Sequence, residues 1–273
     1  MEYLSICTIS KDEDLFPDYR GKTYIDDFVE FHRFIGVEKF YIYDRGFRLF
    51  ERFKDQSDIE VIYFPEPLVH AQCWQKHIAE KGNKSVWTAF IDVDQFVLPQ
   101  NQINLQSILS KFEVAGIGAI QPNWKTFGSA GHIKKPFVSQ FEAYQYREKE
   151  SPNGHSILTQ SILRANAGEL GTLPKNPHQL PLKRGLLSVN SNFIPVQDSP
   201  TSSPICYDNL SIAHYLTRSQ EEWIFKCSKG RADVVNGFVN MDEFNSRNQC
   251  INEILDSQAF DIFCKYASNL YNF

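Results

Sequence analysis

Over its first hundred residues the chain alternates short apolar runs with segments of helical periodicity. Residues 3–9 form an apolar run that ends in the polar stretch Ser10-Lys11-Asp12-Glu13-Asp14. Ile25, Phe28, Phe31 or His32, and Ile35 recur at helical spacing, with Gly36 as the stop. Residues 39–43 predict a second strand ending at the turn Asp44-Arg45-Gly46, and residues 59–64 a third, stopped by Pro65 and Pro67. Residues 71–81 predict a helix closed by Gly82-Asn83. The run 86–99 is rich in β-branched and aromatic residues and predicts one buried strand, interrupted only by Asp92-Val93-Asp94.

Strands alternating with helices imply βαβ units. The predicted class is α/β: a single Rossmann-like domain with a mostly parallel central sheet and helices on both faces. Ligands of such sheets sit beyond the carboxyl ends of the strands. That rule gathers Ser10 to Asp14, Asp44 and the Asp92/Asp94 pair on one rim. The second half is less regular. Residues 116–121 and 138–146 have strand patterns, 122–135 is a Gly-rich connection, and 151–204 is rich in Pro, Asn, Ser and Gly and predicts long loops. Residues 218–229 and 252–270 predict helices. With no repeat or linker visible, one domain is expected.

Composition narrows the function classes. Of 273 residues 42% are hydrophobic, with 22 Phe, 12 Tyr and 4 Trp, enough for a large core and against global disorder. The net charge of −5, without a long basic run, argues against nucleic acid as a partner. Cys7, Cys73, Cys206, Cys227, Cys250 and Cys264 show no zinc-like spacing and read as reduced thiols. Residues 1–8 lack the basic start of a signal peptide, and no stretch is long enough to span a bilayer. The expectation is a soluble, cytoplasmic protein; the oligomeric state is not legible.

The candidate chemistry starts at Asp92 and Asp94. Alternation places both carboxylates on one side of a strand end, where two like charges call for a cation between them. Hard oxygen ligands suit Mg²⁺ or Mn²⁺ carrying phosphates; the bland alternative is a solvated turn. His214-Tyr215 follows an apolar strand pattern and precedes Ser219 with Glu222 three residues on, a capping box, and then Lys226, Lys229 and Arg231. An imidazole and cations so close in sequence fit closure over a diphosphate, against the plainer readings of a structural histidine and a solvated helix face. In the segment 122–132, Trp124, Phe127 and Gly128 offer a stacking surface and close backbone approach, or else a packed turn.

Together these segments resemble the glycosyltransferase family 92 group and its bacterial and viral relatives, within the GT-A nucleotide-sugar transferases. The resemblance is carried by 7–13, by 28–44 with its Gly36-Val37 turn, by 87–98 around Asp-Val-Asp, by the loop Trp124 to Gly131, and by His214-Tyr215 onward to Arg231. Two departures stand out: Gln95 replaces the family's usual Glu, and Asp44-Arg45-Gly46-Phe47 replaces its Asp-Asn-x-Ser turn.

The resemblance implies a GT-A fold, with residues 1–100 as the nucleotide-binding half and 101–273 as the acceptor half with the C-terminal helices. It implies metal-dependent transfer of a hexose from a nucleotide-diphosphate sugar, a UDP-sugar by resemblance, to a glycan hydroxyl with inversion. Metal ligands are then Asp92, Asp94 and His214. Donor contacts are Thr8, Ser10, Lys11, Asp12, Asp44, Gln72, Lys226 and Arg231, and acceptor contacts are Trp124, Phe127 and Gly128. Base candidates are Glu222, Glu142 and His132, with Glu221 beside them. Rival readings are a non-catalytic nucleotide-sugar or carbohydrate-binding protein, and a phosphohydrolase acting at Asp92/Asp94.

Overall fold

The computed structural model describes residues 1–11, 15–65, 70–101, 103–197, 200–229 and 240–271. Its frame is the predicted α/β unit. Strands β1 (Glu2–Ser10), β2 (Lys39–Asp44) and β3 (Ile59–Tyr63) alternate with helices α1 (Tyr24–Phe34), α2 (Leu49–Phe53) and α3 (His70–Lys81), followed by β4 (Ser85–Phe90). These four strands pair in parallel, in the order β4-β1-β2-β3. The side chains of β1 explain why helices cover both faces. Leu4 and Ile6 pack with Ile25, Phe28 and Phe31 of α1, whereas Cys7 and Ile9 pack with Cys73, Trp74 and Ile78 of α3. The start of α1 is fixed by Thr23, whose N–H and hydroxyl both donate to Asp26. Its end is Gly36 at φ +104°, where a Cβ would be strained.

The stretch 86–99 is not one strand. After Phe90 the chain turns through Asp92-Val93-Asp94 and re-enters as β5 (Gln95–Pro99), which belongs to a second sheet. Both halves are buried, so hydrophobicity runs unbroken across the change of sheet. That sheet has the order β13-β8-β7-β12-β5, formed by β7 (Trp124–Phe127), β8 (Tyr146–Arg147), β12 (Leu210–Tyr215) and β13 (Ile254–Leu255) with β5. His32 of α1 ties the two sheets together. Its Nδ1 faces the Phe28 carbonyl at 2.8 Å and its Nε2 accepts the Val97 N–H at 3.2 Å.

Other expectations for the second half are corrected in the same way. The Gly-rich connection 122–135 contains β7, and the alternation in 138–146 resolves into α5 (Gln140–Ala143) and β8. A short α4 (Leu105–Leu109) precedes β6 (Ile117–Ile120), the strand expected near 116–121. Within 151–204 lie β9 (Ile162–Arg164), inserted antiparallel between β4 and β6, and β10 (Leu187–Val189) with β11 (Pro195–Val196) on the sheet's edge. After α6 (Gln220–Lys229) and α7 (Met241–Asn248), the helix expected from 252 begins at α8 (Gln258–Tyr271), because Ile254 and Leu255 are drawn into pairing with β8.

Candidate active site at the junction of the two sheets

The Asp-Val-Asp turn is closed by its own neighbour. The Gln95 N–H donates to the Asp92 carbonyl at 2.9 Å, and the Gln95 side-chain oxygen accepts the Asp92 N–H at 3.1 Å. Val93 is buried between the aspartates, so both carboxylates face away from the core. Asp92 Oδ1 lies 2.8 Å from His70 Nε2 at the start of α3. Asp94 lies 3.6 Å from His214 Nε2 and 3.2 Å from Lys226 Nζ, so its partners come from β12 and α6. The Tyr215 N–H donates to the Asp94 carbonyl at 2.9 Å, pinning the end of β12 to the turn. Burial alone would raise the Asp94 pKa. Lys226, His214 and Arg218 outweigh it and hold the carboxyl well below the usual carboxylate range.

These groups border a cavity of about 420 Å³, of the size that takes a small-molecule ligand. Ile9 and Lys11 from the end of β1 and Arg45 from the end of β2 border it, as the strand-end rule expects. Lys11, Arg45, Arg218, Lys226 and Arg247 give it five cationic side chains, against Asp92, Asp94, Glu222 and Glu243. Trp124 lies in the wall with its ring against His214 (4.3 Å between centroids) and His178 (4.9 Å), and is only 4% exposed.

As metal ligands, Asp94 and His214 have suitable chemistry. Two donors on one divalent ion lie about 3.0–3.4 Å apart at octahedral to tetrahedral angles, close to the spacing here. Among the described residues no group of three or more His, Cys, Asp or Glu converges as it stands. A metal held by Asp94 and His214 would therefore complete its shell with phosphate oxygens and water, the habit of Mg²⁺ and Mn²⁺ sites.

The remaining predicted residues divide between cavity and scaffold. Glu222 borders the cavity, but its carboxylate takes hydrogen bonds from Tyr24, Tyr144 and both the N–H and hydroxyl of Ser219, the predicted capping box of α6. Glu142 is exposed on α5, His132 binds the Ala143 carbonyl at 3.2 Å, and Glu221 is exposed on α6; none of the three borders the cavity. Asp44 spends its carboxylate on the N–H groups of Gly46, Arg48 and Leu49, so it shapes the turn into α2 while Arg45 reaches the cavity. Thr8 and Ser10 are buried on β1, their hydroxyls without hydrogen-bond partners, and Gln72 is exposed on α3 outside the cavity.

Phe127 is a core residue stacked on Tyr215 at 5.1 Å. Gly128 allows close approach of the chain's own residues 251 and 252: a Cβ there would lie 2.4 Å from Asn252 Oδ1 and 2.5 Å from the Ile251 carbonyl. Phe127 and Gly128 thus pack the second sheet instead of bordering the cavity. Asp12 and Arg231 lie outside the described residues. Sequence reasoning missed His70, Arg45, His155, Arg218 and Arg247, all of which border the cavity. Arg45 follows a predicted strand end and was within reach of the rim argument. His155 and Arg247 carry no local pattern.

Comparison with known proteins agrees with this geometry. Residues 18–149, which hold the aspartate turn and the Trp124 segment, match the model of Glycosyltransferase family 92. The chain is family 92-like. A glycosyltransferase family 92 protein of Oryza sativa subsp. japonica is 28% identical over 195 residues, covering 68% of this chain but 31% of its own length. The family 92-like chain thus spans about a third of that curated relative. Among solved structures it resembles a putative glucose-1-phosphate thymidylyltransferase from Bacillus anthracis (10% identity, 61% of this chain and 73% of that one, TM-score 0.38). It also resembles a UDP-glucose pyrophosphorylase complexed with UDP-glucose (11% identity, 100% of this chain and 99% of that one, TM-score 0.35). At those scores the likeness says nothing about ligands. No helix among the described residues is long and apolar enough to cross a membrane.

Proposed function

We propose that this chain transfers a hexose from a UDP-sugar to a glycan hydroxyl, with inversion at the anomeric carbon, using Mn²⁺ or Mg²⁺ held by Asp94 and His214. The observation that carries the reading is Asp94 itself. It is a carboxylate kept ionised at the rim of the parallel sheet, between an imidazole at 3.6 Å and an ammonium at 3.2 Å, on the wall of a cation-lined cavity. A divalent ion there supplies Lewis-acid stabilisation of charge on the departing diphosphate.

The protein's own residues do the rest. Lys226, Arg218 and Arg45 line the cavity and offer fixed cations to phosphate oxygens, favouring the charge that grows on the leaving group. His70 fixes the orientation of Asp92, which leaves Asp94 as the main carboxylate ligand. Trp124, Trp223 and Phe225 give the cavity apolar wall that limits water at the reacting carbon. The test is release of UDP from UDP-hexoses in Mn²⁺ and in EDTA. Metal-dependent UDP release supports transfer chemistry. Release of inorganic phosphate instead would point to the phosphohydrolase, and tight UDP binding without turnover to a non-catalytic binder.

A further inference from the structure

The transferase reading leaves the acceptor's proton without a destination, and the cavity's titratable groups narrow the choice. His70 is held by Asp92, and His214 faces Asp94. Glu222 is saturated by Tyr24, Tyr144 and Ser219; hydrogen bonds donated to the charged form make a carboxylate a weaker base. His178 is bound through Nδ1 to Gln160 at 3.1 Å, and Glu243 is spent on Arg247 at 2.7 Å.

His155 differs from all of these. It opens a short 3-10 turn (His155–Ile157) beside β7, borders the cavity and is a quarter exposed. Its Nδ1 lies 3.5 Å from Glu148 Oε1, a carboxylate that is itself buried. Glu148 is built into the loop: it accepts the N–H of His155 at 3.1 Å and of Ser156 at 2.9 Å. Gly154 is required for that wrap, since a Cβ there would lie 2.3 Å from Glu148 Oε1. On the other side His155 Nε2 faces Arg247 Nη1 at 3.5 Å, longer than a normal hydrogen bond. Glu148, Arg247 and, through Arg247, Glu243 are the charged groups around it.

We propose that His155 is the general base for the acceptor hydroxyl and that Glu148 is its positioning residue, an inference that rests on the transferase reading. A carboxylate behind Nδ1 favours the tautomer with the proton on Nδ1, which leaves the Nε2 lone pair for the substrate. In the step, the acceptor O–H proton passes to Nε2 while the oxygen forms a bond to the donor's anomeric carbon. The bond from that carbon to the β-phosphate oxygen breaks, and its electron pair leaves with UDP. The imidazolium, paired with Glu148, then returns its proton to solvent.

The test uses water as acceptor: UDP release from UDP-glucose and UDP-galactose in Mn²⁺ by wild type, His155→Gln, His155→Asn and Glu148→Gln. General-base removal should slow release by about a hundredfold in both His155 variants, and by about tenfold in Glu148→Gln. Molar sodium azide, an anion that attacks without losing a proton, should restore most of the lost rate. Calorimetric UDP binding should stay within about twofold of wild type, which also reports on folding. Release within about threefold of wild type in both His155 variants, or a loss that azide does not reverse, overturns the assignment. A wild-type protein that neither binds nor releases UDP overturns the transferase reading first, and the base falls with it.

Discussion

Lowering the pH from 7.5 to 5.0 should destabilise this fold by about 3 kcal/mol, because two buried histidines must stay neutral. His32 and His77 are both fully buried, and burial pushes each pKa down to about 3, with Lys81 adding to the effect at His77. A depressed folded pKa means that the contribution is complete above the unfolded value near 6.5. It is lost as the pH falls from there toward 3. At pH 5.0 each site has lost about 2 kcal/mol, together about 4.

Asp27 opposes them. Burial raises its pKa to about 6, against the pull of Arg20, so protonation in this window favours the folded state by about 1 kcal/mol. The lowered carboxyls of Asp94, Glu148 and Asp256 act mainly below pH 5 and stay out of the window. Urea unfolding followed by the fluorescence of the buried Trp74, Trp87 and Trp223 gives the stability at each pH. In His77→Phe, whose ring would sit among Tyr41, Tyr43 and Phe90, the loss should shrink to about 1 kcal/mol. A stability that is flat or rises between pH 7.5 and 5.0 refutes the reasoning.

Two further outcomes follow from the packing of the second sheet. Asp256 Oδ2 pairs with Lys125 Nζ at 2.9 Å and Arg147 Nε at 2.7 Å, cations whose side chains are 8% and 10% exposed. Asp256→Ala should therefore cost about 3–5 kcal/mol in urea unfolding, and a loss under about 1 kcal/mol would mean that the pair of cations is solvated. Trp124→Ala should cost about 3–5 kcal/mol of stability, because the ring is wall as much as binding surface. A variant that keeps its melting temperature and loses only transfer to an acceptor would restore Trp124 to a purely substrate-facing role.

The first hundred residues were legible because each strand and helix there carries its own period and its own stop, Gly36 and the Asp44 turn among them. The change of sheet after Phe90 was not, since a strand buried on both sides reads the same on either side of the turn. In the second half, β8, β11 and β13 are two residues each, too short for any period to show. Asp94, His214 and Lys226 were legible as a group through family order, and the structure brings them together. Phe127 and Gly128 looked equally suited to ligand and core; their neighbours, Tyr215 and Asn252, come from distant parts of the chain that sequence spacing cannot join. His155 had no local signal, because its partner Glu148 is oriented by a loop and not by a repeat.

The central claim is that Asp94 holds a divalent ion for the donor's diphosphate. Isothermal titration of UDP into wild type and Asp94→Ala, each with and without Mn²⁺, tests it most directly. The account predicts that Mn²⁺ tightens UDP binding to wild type by at least about tenfold, that Asp94→Ala shows no such gain, and that both proteins unfold at similar urea concentrations. Equal Mn²⁺-dependent affinity in the two proteins would contradict it.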